Sequence, residues 1–184
     1  MEEKIRTLGV LHAQHFSAHL DAVRLRTGKT TERIKVDYPE AAAVVPFLDE
    51  RRILMVRQWR YALGMETLEI PAGKMDPGEA IEDCVRRELR EETGHEAGRL
   101  FLLSSYYPAI GYSNELIRIY AASHLRRLSE AQDIDEISKV EIMELDHVHN
   151  LIMEGVIQDG KTIIGISLFR SELERGEIPE DFFT

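Results

Sequence analysis

Apolar and polar residues alternate along the first part of the chain with the period of two that is typical of β-strands. This alternation marks two extended runs, one around Val23 and one around Ile34, separated by residues 27–30 with a glycine suited to a turn. The pattern predicts a β-hairpin. The pattern of apolar and polar residues changes after residue 38. We therefore expect residues 1–38 to form a small N-terminal antiparallel β-sheet, apart from a second domain of residues 39–184.

Beyond residue 40 the apolar pattern changes its period several times. It predicts two strands within residues 41–59 and a short third strand within 65–73. A helix follows, with Asp76 as its N-cap, Pro77 as its first residue and Gly94 just past its end. Further strands and then two helices are predicted at 100–107, 115–122, 139–145, 146–155 and 161–176. This order predicts an α/β fold in which helices cover a sheet.

Composition limits the classes of function. The 184 residues are 43% hydrophobic and 30% charged, which is typical of a globular protein. A net charge of −10 argues against binding to nucleic acid or to an anionic membrane, and a phosphate-bearing substrate would need local cations. The single Cys84 excludes an internal disulfide, and no run is long and apolar enough for a signal peptide or a membrane span. We expect a cytoplasmic protein.

The helix ending at Gly94 carries its carboxylates on an unusual face. At about 100° per residue, Glu88 and Glu92 continue the apolar stripe of Ile81 and Val85. A solvated charged helix is the simpler interpretation of such a run, but two core-facing carboxylates one turn apart would repel each other and lose hydration. A divalent cation such as Mg²⁺ or Mn²⁺ would neutralise them.

Other charged residues of the same helix lie on its flank or on its solvent side. Glu91 lies on a flank of the apolar stripe, and Arg87, four residues earlier, is spaced to orient its carboxylate. Glu79 and Asp83 are expected on the solvent side by the same helical-wheel argument.

The segment resembles the Nudix box at its characteristic spacing. The matching residues are Gly73, Glu79, Arg87, Glu88, Leu89, Glu91, Glu92 and Gly94, whereas His95 stands where the family usually has a bulky aliphatic residue. The resemblance implies metal ligation by Glu88 and Glu92, with Glu91 and the carbonyl of Ala72, and catalytic roles for Glu91 and Glu92. It also implies attack of water at phosphorus, aided by the metal.

Similarity extends to three stretches outside the box, VRQWR, LEIPAGK and YYPAIGYSNE. They resemble ADP-ribose pyrophosphatases and related nucleoside diphosphate sugar hydrolases, although Ala109 and Ile110 replace a usual Ser-Pro. The resemblance implies an α/β/α sandwich with a mixed sheet, Mg²⁺-dependent hydrolysis and a homodimer in which Arg33 serves the partner's site. The implied substrate-binding residues are Arg33, Arg57, Arg60, Gly73, Tyr112, Ser113 and Glu115.

An acidic segment late in the chain is the candidate source of the general base. The resemblance implies that Glu136 is a further metal ligand and that Asp133 or Asp135 is the base, because Ile134 occupies the usual position of a second glutamate. An ordinary acidic turn is the alternative.

Two other activities stay open on the sequence alone. One is a Nudix hydrolase of nucleoside triphosphates or dinucleoside polyphosphates, and the other is a non-catalytic Nudix module that senses a nucleotide. The phosphate-loop pattern at residues 27–30 is better explained as a turn, since extended runs flank it. A zinc site formed by His12, His15 and His19 is also disfavoured, because the sequence offers no cysteine partners there.

Overall fold

The computed structural model describes residues 1–128 and 137–184. The chain divides into two compact units, of which the first is Met1–Glu40 with Tyr106–Ile117 and the second is Ala41–Ser105 with Arg118–Thr184. The proposed division into domains 1–38 and 39–184 stays a prediction.

The first unit contains a three-stranded antiparallel sheet in the order β1 (Glu3–His12), β2 (Ser17–Arg24) and β3 (Thr30–Asp37). The predicted hairpin is confirmed as β2 and β3, and Gly28 in its turn has a φ of 84°, which favours glycine. Strand β1 was not predicted separately.

The segment Tyr106–Ile117 lies along the end of β3. The Val36 amide donates to the Tyr112 carbonyl at 2.6 Å, and the Asn114 amide donates to the Val36 carbonyl at 3.3 Å. The Tyr38 amide donates to the Asn114 side chain at 2.8 Å. These bonds fix a segment that contains three predicted substrate-binding residues.

The second unit contains the remaining elements. They are β4 (Ala41–Pro46), β5 (Arg52–Arg60), β6 (Met65–Glu69), β7 (Ala72–Lys74), α1 (Ile81–Thr93), β8 (His95–Glu96), β9 (Arg99–Tyr106), β10 (Ile117–Ser123), β11 (Arg126–Arg127), β12 (Ile137–Glu144), α2 (Leu145–Met153) and α3 (Gly160–Arg175). They form a sheet in the order β7-β4-β10-β9, a sheet in the order β12-β5-β6 and a short β11-β8 pair. The strands and helices predicted beyond residue 40 are present, except that the single strand predicted within 65–73 is divided into β6 and β7, which belong to different sheets. The β11-β8 pair is additional.

Helices pack against both faces of β4, because alternate residues of a strand point to opposite sides. Ala42 and Val44 belong to the apolar cluster that buries Val85 and Leu89 of α1. Val45, one residue further, lies against Gly165 of α3, where a Cβ would come within 3.0 Å of the valine side chain. The predicted α/β/α sandwich is therefore confirmed.

The predicted start of the helix was wrong, although its end was right. Helix α1 begins at Ile81, because Gly78 adopts a φ of 83°, which is incompatible with a right-handed helix. Asp76 and Glu79 instead close a turn in which the Glu79 amide donates to the Asp76 carbonyl at 3.0 Å. Gly94 ends the helix in the left-handed region, with a φ of 71°.

Candidate active site

Two carboxylates of α1 are turned toward the interior of the second unit. Glu92 is 5% exposed and the Glu88 side chain is 13% exposed. The backbone amide of Ala72 donates to the Glu92 carboxylate at 3.1 Å, which places the strand β7 beside the helix. Glu91, on the flank, is nearly half exposed. The orientation predicted from the helical wheel is confirmed.

Burial makes this pair of carboxyls hard to ionise. Burial, and after it the charge of Glu88, raises the pKa of Glu92 to about 8. Burial also raises the pKa of Glu88, against the opposing charge of Arg87. A carboxylate pair in this state needs a cation beside it to ionise fully, and its hard oxygen atoms fit Mg²⁺ or Mn²⁺.

The pair is an incomplete set of metal ligands. Across residues 1–128 and 137–184, no three His, Cys, Asp or Glu side chains converge on one point. Mg²⁺ commonly binds one or two carboxylates and takes its other ligands from water and substrate phosphates. The arrangement therefore fits a cation that is held jointly by this helix and by a phosphate-bearing substrate.

Thermal unfolding at two pH values tests this electrostatic argument. A carboxyl whose pKa rises on folding binds more protons in the folded state, so stability should fall as the pH rises from the usual Glu value of 4.5 toward about 8. We expect the melting temperature in EDTA to be lower at pH 8 than at pH 6. Mg²⁺ should raise the melting temperature more at pH 8, because metal binding requires the ionised form.

The Glu92→Gln protein is the control for that experiment. It should lose most of the difference between the Mg²⁺ effects at pH 8 and pH 6. An equal effect of Mg²⁺ at both pH values in the unaltered protein would contradict the argument.

Gly73 lies directly against the carboxylate of Glu88. A Cβ added to Gly73 would come within 2.0 Å of the Glu88 carboxyl carbon and within 2.1 and 2.2 Å of its two oxygens. With the Glu88 carboxylate in this position, there is room here only for a residue without a side chain. Gly73 thus allows Glu88 to lie flat against β7, and its predicted contact with substrate stays a prediction.

Arg87 connects the turn before α1 with the carboxylates on it. Its guanidinium donates to Glu79 through Nε at 2.8 Å and through Nη2 at 3.0 Å. It also donates to Glu88 at 2.6 Å, to Glu91 at 3.1 Å and to the Lys74 carbonyl at 2.9 Å. The predicted contact between Arg87 and Glu91 is confirmed, and Arg87 holds one oxygen of Glu88 as well.

The expected position of Glu79 on the solvent side of the helix was wrong. Its side chain is only 14% exposed, and the hydrogen bonds from Arg87 lower its pKa to about 2. The helical-wheel argument failed for this residue because α1 begins two residues after it.

A cavity of about 800 Å³ is lined by β5, β6, β12, α2 and the segment before α3. This volume is in the range of small-molecule sites. Arg57 and Arg60 supply cationic groups to its wall, and Leu63, Met65 and Leu151 supply apolar ones. Two of the three arginines predicted to bind substrate therefore line one cavity.

Both arginines are held by carboxylates. Arg60 donates to Glu69 through Nε at 2.7 Å and through Nη2, and Arg57 donates through Nε to Glu141. Against the larger effect of burial, the charge of Arg60 acts to lower the pKa of Glu92. The charge of Arg60, in the wall of this cavity, therefore reaches Glu92 on α1.

Sequence reasoning missed the residues that hold this wall. Glu69 lies within the quoted LEIPAGK stretch, and Lys161, which also binds Glu69, lies 92 residues further along. For Glu69, a glutamate between the apolar residues Leu68 and Ile70 of a predicted short strand was a usable signal. No local pattern pairs it with Lys161.

Most of the chain matches a known protein family. The model of the NUDIX domain matches residues 37–163, which is more than half of the chain. The chain belongs to the NUDIX domain family. The matched residues include helix α1 with Glu88, Glu91 and Glu92.

Relatives of this Nudix protein extend over almost its whole length. It is 35% identical to the ADP-ribose pyrophosphatase of Bacillus subtilis (strain 168), over 90% of this chain and 91% of that one. It is also 35% identical to a Bacillus methanolicus protein named methanol dehydrogenase activator, over 90% of each chain. A crystal structure of an ADP compounds hydrolase, 22% identical, matches 95% of this chain and 96% of that chain with a TM-score of 0.79, which shows the shared fold.

The remaining predicted substrate residues belong to the first unit. Arg33 donates to Glu2 through Nε at 3.0 Å and through Nη2 at 2.6 Å. Tyr112 is exposed, and the Ser113 hydroxyl accepts the amide of Glu115 at 3.1 Å. Their roles in binding substrate stay predictions.

The predicted acidic segment lies outside the described residues. It contains Asp133 and Asp135 as candidate bases and Glu136 as a candidate metal ligand.

No helix in the described part of the chain has the length and apolarity needed to cross a membrane.

Proposed function

We propose that this Nudix protein hydrolyses the diphosphate of ADP-ribose or another nucleoside diphosphate sugar, giving a nucleoside monophosphate and a sugar phosphate. The observation that carries the proposal is the buried carboxylate pair Glu88 and Glu92 on α1, in the same unit as a cavity whose wall includes Arg57 and Arg60. The names of similar proteins support this substrate class, since they include ADP-ribose pyrophosphatase and GDP-mannose pyrophosphatase.

Glu88 and Glu92 are the proposed ligands of Mg²⁺, with Mn²⁺ as an alternative. Glu91, the Ala72 carbonyl and Glu136 complete the proposed set. When bound, the metal neutralises the diphosphate and lowers the pKa of a water that attacks phosphorus. Catalytic roles are proposed for Glu91 and Glu92.

The chain's own residues would do the rest of the chemistry. Arg57 and Arg60 bind and orient the phosphates along the cavity wall. Asp133 or Asp135 takes the proton of the attacking water. Further substrate contacts are proposed for Arg33, Gly73, Tyr112, Ser113 and Glu115.

A substrate panel tests the function. Purified protein with Mg²⁺ should release a nucleoside monophosphate from at least one of ADP-ribose, ADP-glucose, GDP-mannose and UDP-glucose, and EDTA should stop the release. Nucleoside triphosphates and dinucleoside polyphosphates belong in the same panel. Hydrolysis of these alone would replace the proposed substrate class, and no hydrolysis of any compound would overturn the enzymatic proposal.

The second candidate is a nucleotide-dependent regulator of a dehydrogenase. The similarity to the methanol dehydrogenase activator favours it. A regulator that only senses nucleotide would keep its effect in the Glu92→Gln protein, whereas an enzyme would lose its turnover.

The oligomeric state, the cellular compartment and the partners of the protein are proposed from its sequence. The resemblance supports a homodimer, and the single Cys84 supports a cytoplasmic protein. A net charge of −10 supports the absence of nucleic-acid and membrane partners.

A further inference from the structure

Glu69 is the most enclosed carboxylate of the cavity wall. It is 2% exposed, and its two oxygens accept hydrogen bonds from Arg60, from Lys161 and from the hydroxyl of Thr67 at 2.5 Å. Although burial acts to raise its pKa, the bonds from Arg60 and the charge of Lys161 hold the pKa at about 2. Glu69 is therefore a fixed negative charge behind Arg60.

Lys161 is buried at the start of α3 and is bound on two sides. Its side chain is 10% exposed, and its Nζ donates to Glu69 and, at 3.0 Å, to Asp159. Asp159 also accepts the Thr162 amide at 3.0 Å and its hydroxyl at 2.6 Å, which caps α3. The Thr162 hydroxyl in turn accepts the amide of Ile70 at 2.9 Å. Lys161 is thus held rigidly against the residues that precede β7.

The charges in this cluster balance only when Lys161 is included. Arg60 and Lys161 carry two positive charges, and Glu69 and Asp159 carry two negative ones. Without the lysine charge, Arg60 would be the only cationic partner of the buried Glu69 among the described residues, and the carboxylate would be held less firmly.

Arg60 has donors left for a ligand. Its Nε and Nη2 face Glu69, and its Nη1 makes no hydrogen bond within residues 1–128 and 137–184. A bidentate contact with a rigid carboxylate fixes the plane of the guanidinium and so the direction of the remaining N–H groups.

We infer that Lys161 is a positioning residue for substrate binding. It acts through Glu69, whose carboxylate it holds in place and so fixes the guanidinium of Arg60. The inference rests on the proposed function, because it requires that Arg60 binds the substrate's phosphates.

A double-mutant cycle tests the inference. The variants are Lys161→Gln, Arg60→Ala and the pair together, assayed with the best substrate of the panel. Lys161→Gln keeps a hydrogen-bond donor and removes the charge. It should raise KM on the order of tenfold and change kcat by less than about threefold, in line with the coupling of contacting residues. In the Arg60→Ala background the same change should raise KM by less than about threefold.

Two further variants keep the outcome interpretable. Lys161→Arg retains the charge and the donors that bind Glu69, and it should hold KM within about threefold of the unaltered protein. Lys29→Gln, in the exposed hairpin turn, removes a lysine charge elsewhere and should leave KM unchanged.

The outcomes separate the inference from the function on which it rests. If Lys161→Gln raises KM equally with and without Arg60, or if it lowers kcat alone, Lys161 is only structural and the inference is overturned. A tenfold loss in Lys161→Arg would also overturn it, and this variant carries the test if Lys161→Gln does not fold. If the unaltered protein hydrolyses none of the panel, the proposed function itself has failed.

Discussion

Replacing Glu92 by glutamine is expected to reduce kcat on the order of 10³-fold, the upper size for removing one strong electrostatic contact in an active site. Glutamine has nearly the same shape and still accepts the amide bond from Ala72. It cannot supply the negative charge that a divalent cation requires. Steady-state hydrolysis of the preferred nucleotide sugar at saturating Mg²⁺ measures the effect.

The fold should survive this change. The neutral amide removes the repulsion from Glu88 at a site where burial already opposes ionisation, so the melting temperature in EDTA at pH 8 should not fall. Asp83→Asn, on the exposed face of the same helix, is the matched control and should keep full activity. A Glu92→Gln protein that retains more than about a tenth of the activity would contradict the assigned role.

Adding one methyl group at Gly73 is expected to lower kcat about 10²-fold, because misplacement of a catalytic group by about 1 Å has effects of this size. The new Cβ cannot occupy a position 2.0 Å from the Glu88 carboxyl carbon, so the carboxylate must leave β7. Glu88 would then lie away from its place beside Glu92. The apparent Mg²⁺ affinity, measured by titrating activity with the metal, should fall as well.

Gly9→Ala is the matched control for this substitution. Gly9 also lies in a strand, and an added Cβ there has no neighbour within 4 Å. It should leave kcat and the Mg²⁺ requirement unchanged. Unaltered kinetics in Gly73→Ala would mean that the close approach of Glu88 to β7 is not needed for activity.

The orientation of Glu88 and Glu92 could be predicted because it follows from local geometry alone. A regular helix places residues four apart on one face, and the apolar residues Ile81 and Val85 show which face is buried. The end of the helix was equally local, since Gly94 needs a positive φ. The start was not, because one contact of a helix cap, from the Asp76 amide to the Glu79 carboxylate, also forms in this turn. The Glu79 amide, however, donates to the backbone carbonyl of Asp76 and not to its side chain.

The supports of the arginine wall could not be predicted for a different reason. Glu69 and Lys161 are 92 residues apart and meet only because α3 packs beside the segment that follows β6. Periodicity within a segment carries no information about such a contact. The same holds for Arg57, whose partner Glu141 lies on the neighbouring strand β12, 84 residues away.

We propose above that Glu88 and Glu92 together hold a catalytic divalent cation. The decisive measurement is Mn²⁺ binding followed by electron paramagnetic resonance, with hydrolysis measured on the same samples. We expect Mn²⁺ affinity and hydrolysis both to fall in Glu88→Gln and in Glu92→Gln, while Asp83→Asn retains both. Unchanged Mn²⁺ affinity in both glutamine variants, or full hydrolysis by the unaltered protein in EDTA, would contradict it.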